Sequence, residues 1–259
     1  MDEIDVNRSY FVHYVSGVAG PGARVLDYGC GDGTTVRLLR AAGFDAYGVD
    51  IRWRGADYGD IEATDLGVEK RLRYYDVAEL LPFEDHMFDV VISDQVFEHV
   101  VPMAAALREL ARVMRPGAVM YHHFPSRRVL REGHIGIPLT HRLPDGRFRL
   151  YYTALLRRIG FGTHKDGRPP VEWAAEKLAW VDDWTVYRTT REIHSLFGAY
   201  GSVRHREIDY CRFRAGNRRW LVELLDRKML QRPAAEVFRL LAFDAFEVRL
   251  NRPAGGPGR

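Results

Sequence analysis

A chain of 259 residues, 46% of them hydrophobic, can bury the core of one α/β domain and still carry an insertion. A net charge of +3 with scattered basic residues gives no dense nucleic-acid-binding face, and two distant cysteines, Cys30 and Cys211, give neither a disulfide framework nor a zinc ribbon. The acidic start Met1-Asp2-Glu3-Ile4-Asp5 has no signal-peptide core and no run of 18 apolar residues occurs, so a cytoplasmic protein without a transmembrane segment is expected.

In chain order, residues 4–18 place Tyr10, Phe11, Tyr14 and Val15 at helical spacing. Arg24 to Leu26 is β-prone and runs into Asp27-Tyr28-Gly29-Cys30-Gly31-Asp32-Gly33, three glycines spaced two apart. A helical pattern follows from Thr35. This is a strand, a tight turn and a helix, the opening of a βαβ unit whose helix N-terminus offers unpaired N–H groups to a polar ligand. The dinucleotide pattern G-x-G-x-x-G fails here, because its last glycine would fall on Thr34. Residues 45–50 read as the second strand, ending at Asp50, 21 residues beyond Gly29, where a carboxylate can accept from ribose hydroxyls. Residues 71–75 form the third, followed by Asp76 and Val77. Phe88-Asp89-Val90-Val91-Ile92 is nearly continuous apolar chain, as a central parallel strand should be, and leads into Ser93-Asp94-Gln95-Val96-Phe97-Glu98-His99. Met103 to Met114 is an amphipathic helix stopped by Arg115-Pro116-Gly117, and 119–124 is the fifth strand.

The motif Asp27-x-Gly29-x-Gly31-x-Gly33, together with the Leu81-Pro82-Phe83 turn before strand four and the Glu98-His99 pair after it, resembles the class I S-adenosylmethionine-dependent methyltransferases. The resemblance covers about residues 20–125. It implies a Rossmann-like α/β fold: a seven-stranded, mostly parallel sheet with helices on both faces, strand seven inserted antiparallel, and here a lid inserted after strand five. It also implies S-adenosylmethionine as cofactor. Asp27, Gly29, Gly31 and Gly33 would surround the methionine part, Asp50 and Ile51 the ribose and adenine, Asp76 and Val77 the adenine edge, and Asp94 and Gln95 would lie at the cofactor or the methyl-transfer point. In the family the segment before the glycine motif often closes over the cofactor, a role open here to Tyr10 or His13.

Residues 125–184 exceed the minimal fold and are expected to select the substrate, because loops at the carboxyl edge of such sheets carry specificity. The expected division is a cofactor-binding core over 1–124, the insert over 125–184, the rest of the core over 185–250 and a flexible tail over 251–259. Histidines 122, 123, 134 and 141 fall within twenty residues. Histidine can take a hydroxyl proton during methyl transfer, so His134 and His141, then His123, are the candidate bases. Two histidines with Glu132 could instead hold a divalent ion, but no tight ligand spacing marks a metal motif, and none is expected. Arg127, Arg128, Arg131, Arg142, Arg147 and Arg149 would suit an acidic or phosphorylated substrate. Trp173, Trp180 and Trp184 fit either stacking or core.

Further on, Thr189 and Glu192 are spaced for a capping box, 203–213 alternates as a strand, 217–230 and 234–243 read as helices, and 246–250 as a last strand. The function expected is S-adenosylmethionine-dependent O-methylation of a small molecule or glycan hydroxyl, with no nucleic-acid partner. The alternatives are methylation of a quinone or other lipid-borne ring, and a silent binding protein that keeps the fold.

Overall fold

The computed structural model describes residues 3–51, 69, 71–76 and 80–251. Val77 and the residues from 252 onward lie outside the described residues. Helix α1 (Glu3–Val18) leads into β1 (Arg24–Tyr28), α2 (Thr34–Ala41), β2 (Asp45–Ile51), β3 (Leu72–Tyr75), β4 (Phe88–Asp94), α3 (Met103–Val113) and β5 (Met114–Phe124). The insert holds a single 3-10 turn, Thr140–Arg142, and helices α4 (Arg147–Arg158) and α5 (Pro170–Trp184). The chain closes with α6 (Thr190–Gly198), β6 (Gly201–His205), α7 (Glu207–Ala215), α8 (Arg219–Asp226), α9 (Lys228–Leu241) and β7 (Asp244–Leu250).

The seven strands order as β3-β2-β1-β4-β5-β7-β6. All neighbours are parallel except β7, which runs antiparallel between β5 and β6. Strand residues alternate between two apolar layers, as the period of a pleated strand requires. Leu26, Val91, Met120, Phe246 and Val248 join Met103, Leu107 and Leu110 of α3 and Ile193 and Phe197 of α6 in one layer. Val25, Val90, Ile92, Tyr121 and Ala245 join Tyr10, Phe11, Tyr14 and Val15 of α1, Val36 and Leu39 of α2 and Tyr210 of α7 in the other. The Rossmann-like expectation holds, and with β1 and β4 central the carboxyl ends of β1, β2 and β4 meet where the strand order reverses, the usual ligand edge of such sheets.

Two sequence expectations need correction. The alternation over 203–213 is a strand only to His205, after which 207–215 is helical. Tertiary contacts outweigh the alternating pattern there. Tyr210 is fully buried against Tyr10, His123 and Phe243, and Glu207 takes a hydrogen bond from the Arg239 guanidinium, anchors one helical turn apart. The helix expected over 217–230 breaks at Asp226–Arg227, where Arg212 reaches the Asp226 carboxylate. Strand β5 also begins earlier than the Pro116-Gly117 stop suggests: Phe88 pairs with Met114 and Val90 with Val119, so three extra residues bulge out between the two pairs.

The insert has its own small core of Ile135, Ile137, Ala154, Trp173, Ala174, Leu178 and Val181. It returns to the main body through 185–189. There Val186 N donates to the Glu98 carbonyl at 2.6 Å. The Arg188 guanidinium donates to the carbonyls of Phe97, Val100 and Val101 at 3.0, 2.6 and 3.1 Å. One side chain thus ties the end of the insert to the loop after β4. Arg188→Ala should lower stability by about 2 kcal/mol, since it leaves three carbonyls without their charged donor. Hydrogen exchange should then speed up selectively across 185–189 and 97–101; a global increase with no local excess would contradict the tie.

Candidate functional site

The glycine turn is shaped by sterics. Gly29, Gly31 and Gly33 take φ of 80°, 51° and 73°, in the left-handed region open to glycine. A Cβ on Gly29 would stand 2.3 Å from Val96 Cγ2, and one on Gly33 2.5 Å from Leu72 Cδ1. The turn is therefore packed against the loop after β4 and against β3 as well as bent. Asp50, at the carboxyl end of β2, accepts from Gly31 N and Ile51 N, both at 2.7 Å. It pins the turn while Tyr75, paired with Ile51, brings Asp76 to the neighbouring strand end.

Three carboxylates gather behind this turn. Asp27 is buried, and its carboxyl is pushed up to about 8 by burial, reinforced by the charges of Asp94 and Asp50 and only partly offset by Arg8. Asp50 is likewise raised by burial, against the pull of its two N–H donors. Asp94 accepts from Asn7 Nδ2 at 3.2 Å through one oxygen, while its other oxygen is buried and has no hydrogen-bond partner among the described residues. Such an arrangement favours a cationic ligand, and S-adenosylmethionine carries an α-ammonium and a sulfonium. The open glycine turn, the pinned Asp50 and the orphaned Asp94 oxygen fit that cofactor. Gln95, next to Asp94, holds φ of 55° and donates its N–H to the His123 carbonyl at 2.7 Å. A left-handed non-glycine residue at a strand end is stored strain of about 1–3 kcal/mol, of the kind found at ligand sites.

A raised Asp27 has a consequence for pH. In the free protein this carboxyl stays neutral up to about pH 8, whereas in the unfolded chain it ionises near 4. Its contribution to stability is therefore full below about pH 4 and is lost as pH rises toward 8. A cation bound beside it favours the carboxylate and expels the proton. The affinity for S-adenosylhomocysteine, which retains the ammonium, should rise with pH and level off above about 8, by at most about tenfold per unit. An affinity flat from pH 6 to 9 would remove Asp27 from the ammonium site.

α1 reaches this edge through Asn7 and Arg8 rather than through the aromatic residues picked from the sequence. Asn7 bridges Asp94 and the Tyr210 hydroxyl, and Arg8 pairs with Asp32 at 3.3 Å. Tyr10 is sealed among Tyr121, His123, Tyr210 and Phe213, and His13 stacks on Phe213. Nothing in the sequence pattern singles out Asn7, a polar residue within an amphipathic helix.

The four clustered histidines separate into two groups. His122 and His123 are fully buried in β5. His122 binds Ser93 Oγ at 2.7 Å and is pulled down to about 3 by burial, so it stays neutral. His123 binds the Tyr121 hydroxyl at 2.7 Å, stacks on Phe243, and turns Nδ1 toward Asp94 Oδ1 at 3.6 Å, beyond hydrogen-bond reach. It backs Asp94.

His134 and His141 lie apart from that pair, on the insert. His134 Nδ1 lies 2.7 Å from Glu132 Oε1, and its Nε2 faces His99 Nε2 at 3.2 Å. Tyr187 donates its hydroxyl to the same Glu132 oxygen at 2.5 Å, and Ile135 N donates to the other at 2.6 Å. His141 lies against the Tyr187 ring, centroids 4.6 Å apart. Trp180 closes over His134 with centroids 5.2 Å apart. His99 Nδ1 is 2.7 Å from the Trp184 carbonyl. Glu98 is 1% exposed with neither oxygen partnered among the described residues, and burial pushes its carboxyl up to about 8. The loop after β4 and the insert thus build one cluster. Glu132 stands behind His134 as its support, not in front as a ligand.

The arginines of the insert are largely spent on structure. Arg149 is buried on Asp182 and the Thr140 carbonyl. Arg142 donates to the carbonyls of Arg127, Arg128 and Val129. Arg128 pairs with Glu236, and Arg131 donates to the Gly136 carbonyl. Trp173 is core, as the blander expectation had it.

Comparison with known proteins matches residues 8–201 to the methyltransferase-domain family. Among curated proteins, the ubiquinone biosynthesis O-methyltransferase of Hahella chejuensis is 33% identical over 101 residues, which is 39% of this chain and 42% of that one. The ubiquinone biosynthesis O-methyltransferase of Alkalilimnicola ehrlichii is 31% identical over 96 residues, 37% and 39% of the two chains. The matched segment thus spans about two fifths of these relatives' length. Among solved structures, Haemonchus contortus phosphoethanolamine N-methyltransferase 2 in complex with S-adenosyl-L-methionine superposes with a TM-score of 0.51 at 15% identity, over 95% of this chain and 52% of that one.

Proposed function

The chain belongs to the class I S-adenosylmethionine-dependent methyltransferase family, and from that premise we propose that it methylates an oxygen of a small-molecule acceptor that enters between the loop after β4 and the insert. The observation that carries this reading is the cluster of His99, His134, His141 and Tyr187 on the acceptor side of the cofactor edge. An amine acceptor needs only desolvation, whereas a hydroxyl must lose a proton, and this wall carries imidazoles able to receive one.

S-adenosylmethionine supplies a methyl carbon on a sulfonium, so the acceptor oxygen forms the new C–O bond as the S–C bond breaks and sulfur keeps its electron pair. The chain's own residues then have three tasks. Asp27, Asp50 and the turn at Gly29, Gly31 and Gly33 would hold the cofactor, with Ile51 and Asp76 about the adenine. Asp94 and Gln95 orient its reacting end. His134 takes the hydroxyl proton at Nε2, since its Nδ1–H is committed to Glu132. Tyr187 and Ile135 N fix Glu132 and therefore the ring, and such fixed geometry lowers the barrier by alignment. The insert over 125–184 is the substrate-selecting unit in this reading.

The acceptor class best supported is a hydroxylated ring. Trp180, His99 and Tyr187 offer flat faces at the cluster, and the curated relatives are named for O-methylation in ubiquinone biosynthesis. A ring borne on a lipid tail is favoured by one further observation: α7, α8 and α9 leave an apolar trough of about 620 Å³ lined by Leu221, Leu224, Leu230, Val237 and Leu241. The test is transfer of a labelled methyl group from S-adenosylmethionine to a panel of phenols, catechols, sugars and amines, each ring offered with and without a prenyl tail. Label in an O-methyl ether is the expected result. Label in amines alone would overturn the reading, and a preference for prenylated rings would select the lipid-borne acceptor.

A further inference from the structure

Helices α8 and α9 leave an apolar face uncovered. A helix packed on one side needs one apolar stripe. α9 has that stripe, with Ala235 buried and Phe238 against Tyr210 and Phe243, and Arg239 on the same inner side is spent on Glu207. It also has a second. Leu230, Ala234, Val237 and Leu241 recur at helical spacing along the trough, and Leu230, Val237 and Leu241 are exposed. α8 lines the same trough with Leu221 and Leu224. Beside it, Trp220 is 68% exposed and Met229 90%. Large apolar side chains gathered this way on a surface mark a contact.

The charges around the face decide what fits it. Between 216 and 241, Arg218, Arg219, Arg227, Lys228 and Arg232 are exposed and make no ion pair among the described residues. Of the three acids in that stretch, Asp226 is taken by Arg212 and Glu236 by Arg128 and Arg239, which leaves Glu223 to offset these cations. A second copy of the chain fits poorly, because a two-fold contact would set the cations against their own copies. Residues 252–259 contain no large apolar side chain to fill the trough. The complementary occupant is apolar in its depth and anionic at its surface, as a leaflet of acidic phospholipid is.

We infer that α8 and α9 dock this chain on the surface of an anionic phospholipid bilayer. Trp220, Met229 and the outer stripe of α9 enter the boundary between headgroups and acyl chains, where an indole is well suited. Acyl chains fill the trough, and the cations around it reach the phosphates. α7 connects this face to the cofactor edge: Cys211 and Ala215 line the trough, while Tyr210 donates to Asn7, which donates to Asp94. The inference goes beyond the methyl-transfer reading and holds whichever acceptor is methylated.

The test is co-sedimentation of the whole protein with vesicles of phosphatidylcholine alone and of equimolar phosphatidylcholine and phosphatidylglycerol. Binding should favour the mixed vesicles and fall steeply as salt is raised. Arg219→Gln combined with Lys228→Gln should lower the partition coefficient about 30-fold, since each cation near such a surface contributes about fivefold. Trp220→Gln combined with Met229→Gln should lower it about 100-fold. Brominated acyl chains should quench the parent's fluorescence, and Trp220→Phe should lose most of that quenching while still binding. S-adenosylhomocysteine binding, measured on every variant, checks folding and reads the cofactor edge separately from the lipid contact. A parent that ignores the mixed vesicles, or binds both compositions equally, would overturn the inference. So would full binding by the Trp220→Gln, Met229→Gln variant, or a parent dimer that this variant abolishes, which would make the face a contact between copies.

Discussion

Asp50→Ala should weaken S-adenosylhomocysteine binding by about 100-fold or more while leaving the sheet intact. Two losses combine. The carboxylate that would receive the ribose hydroxyls is gone, and charge-assisted hydrogen bonds are each worth about 1.5–3 kcal/mol. The same truncation strips the Gly31 and Ile51 amides of their acceptor, so the glycine turn loses the brace that holds it beside β2. Asp50→Asn separates the two contributions, since its amide oxygen can still accept one N–H, and its affinity should fall between parent and alanine variant. Calorimetric titration gives the affinities and circular dichroism reports the fold. An alanine variant that binds as the parent does would place the cofactor elsewhere.

His134→Ala should do the opposite: leave cofactor affinity unchanged and lower kcat by about 10²- to 10⁴-fold on an acceptor that the labelling panel identifies. His134 lies on the insert, braced by Glu132 and flanked by the tilted Trp180 ring. Tyr187→Phe removes one of the two donors to Glu132 beside the ring and should cost less, because the ring and its Nδ1–Glu132 contact remain. A His134 variant that loses cofactor binding but turns over normally at saturation would invert the assignment of the two halves.

The geometry of the glycine turn and its neighbours was legible from sequence because its parts are local. The glycine turn is a run of seven residues whose spacing reports backbone angles directly, and Asp50 and Asp76 follow from where strands end. The cluster between the loop after β4 and the insert was not, because its members are scattered. Glu98, His99, His134 and Tyr187 meet only once 125–184 has folded on its own core and Arg188 has tied its end back to the loop after β4. A pair of residues at 98–99 and a histidine 35 positions later has no spacing signature. Counting histidines found His134 and His141 but also His122 and His123, which β5 buries by simple alternation along a strand covered on both faces. Helix α7 was hidden for a related reason: its sequence alternates, and only the fully buried Tyr210 and the Glu207–Arg239 pair select the helix.

The most direct measurement on the account as a whole is calorimetric titration of the parent protein with S-adenosylhomocysteine, run at pH 7 in two buffers of different ionisation enthalpy. The account predicts one site of micromolar affinity with close to one proton released, from the Asp27 carboxyl that sits at about 8 in the free protein. A folded parent that shows no binding heat in either buffer would contradict the cofactor site, and with it the function built on that edge of the sheet.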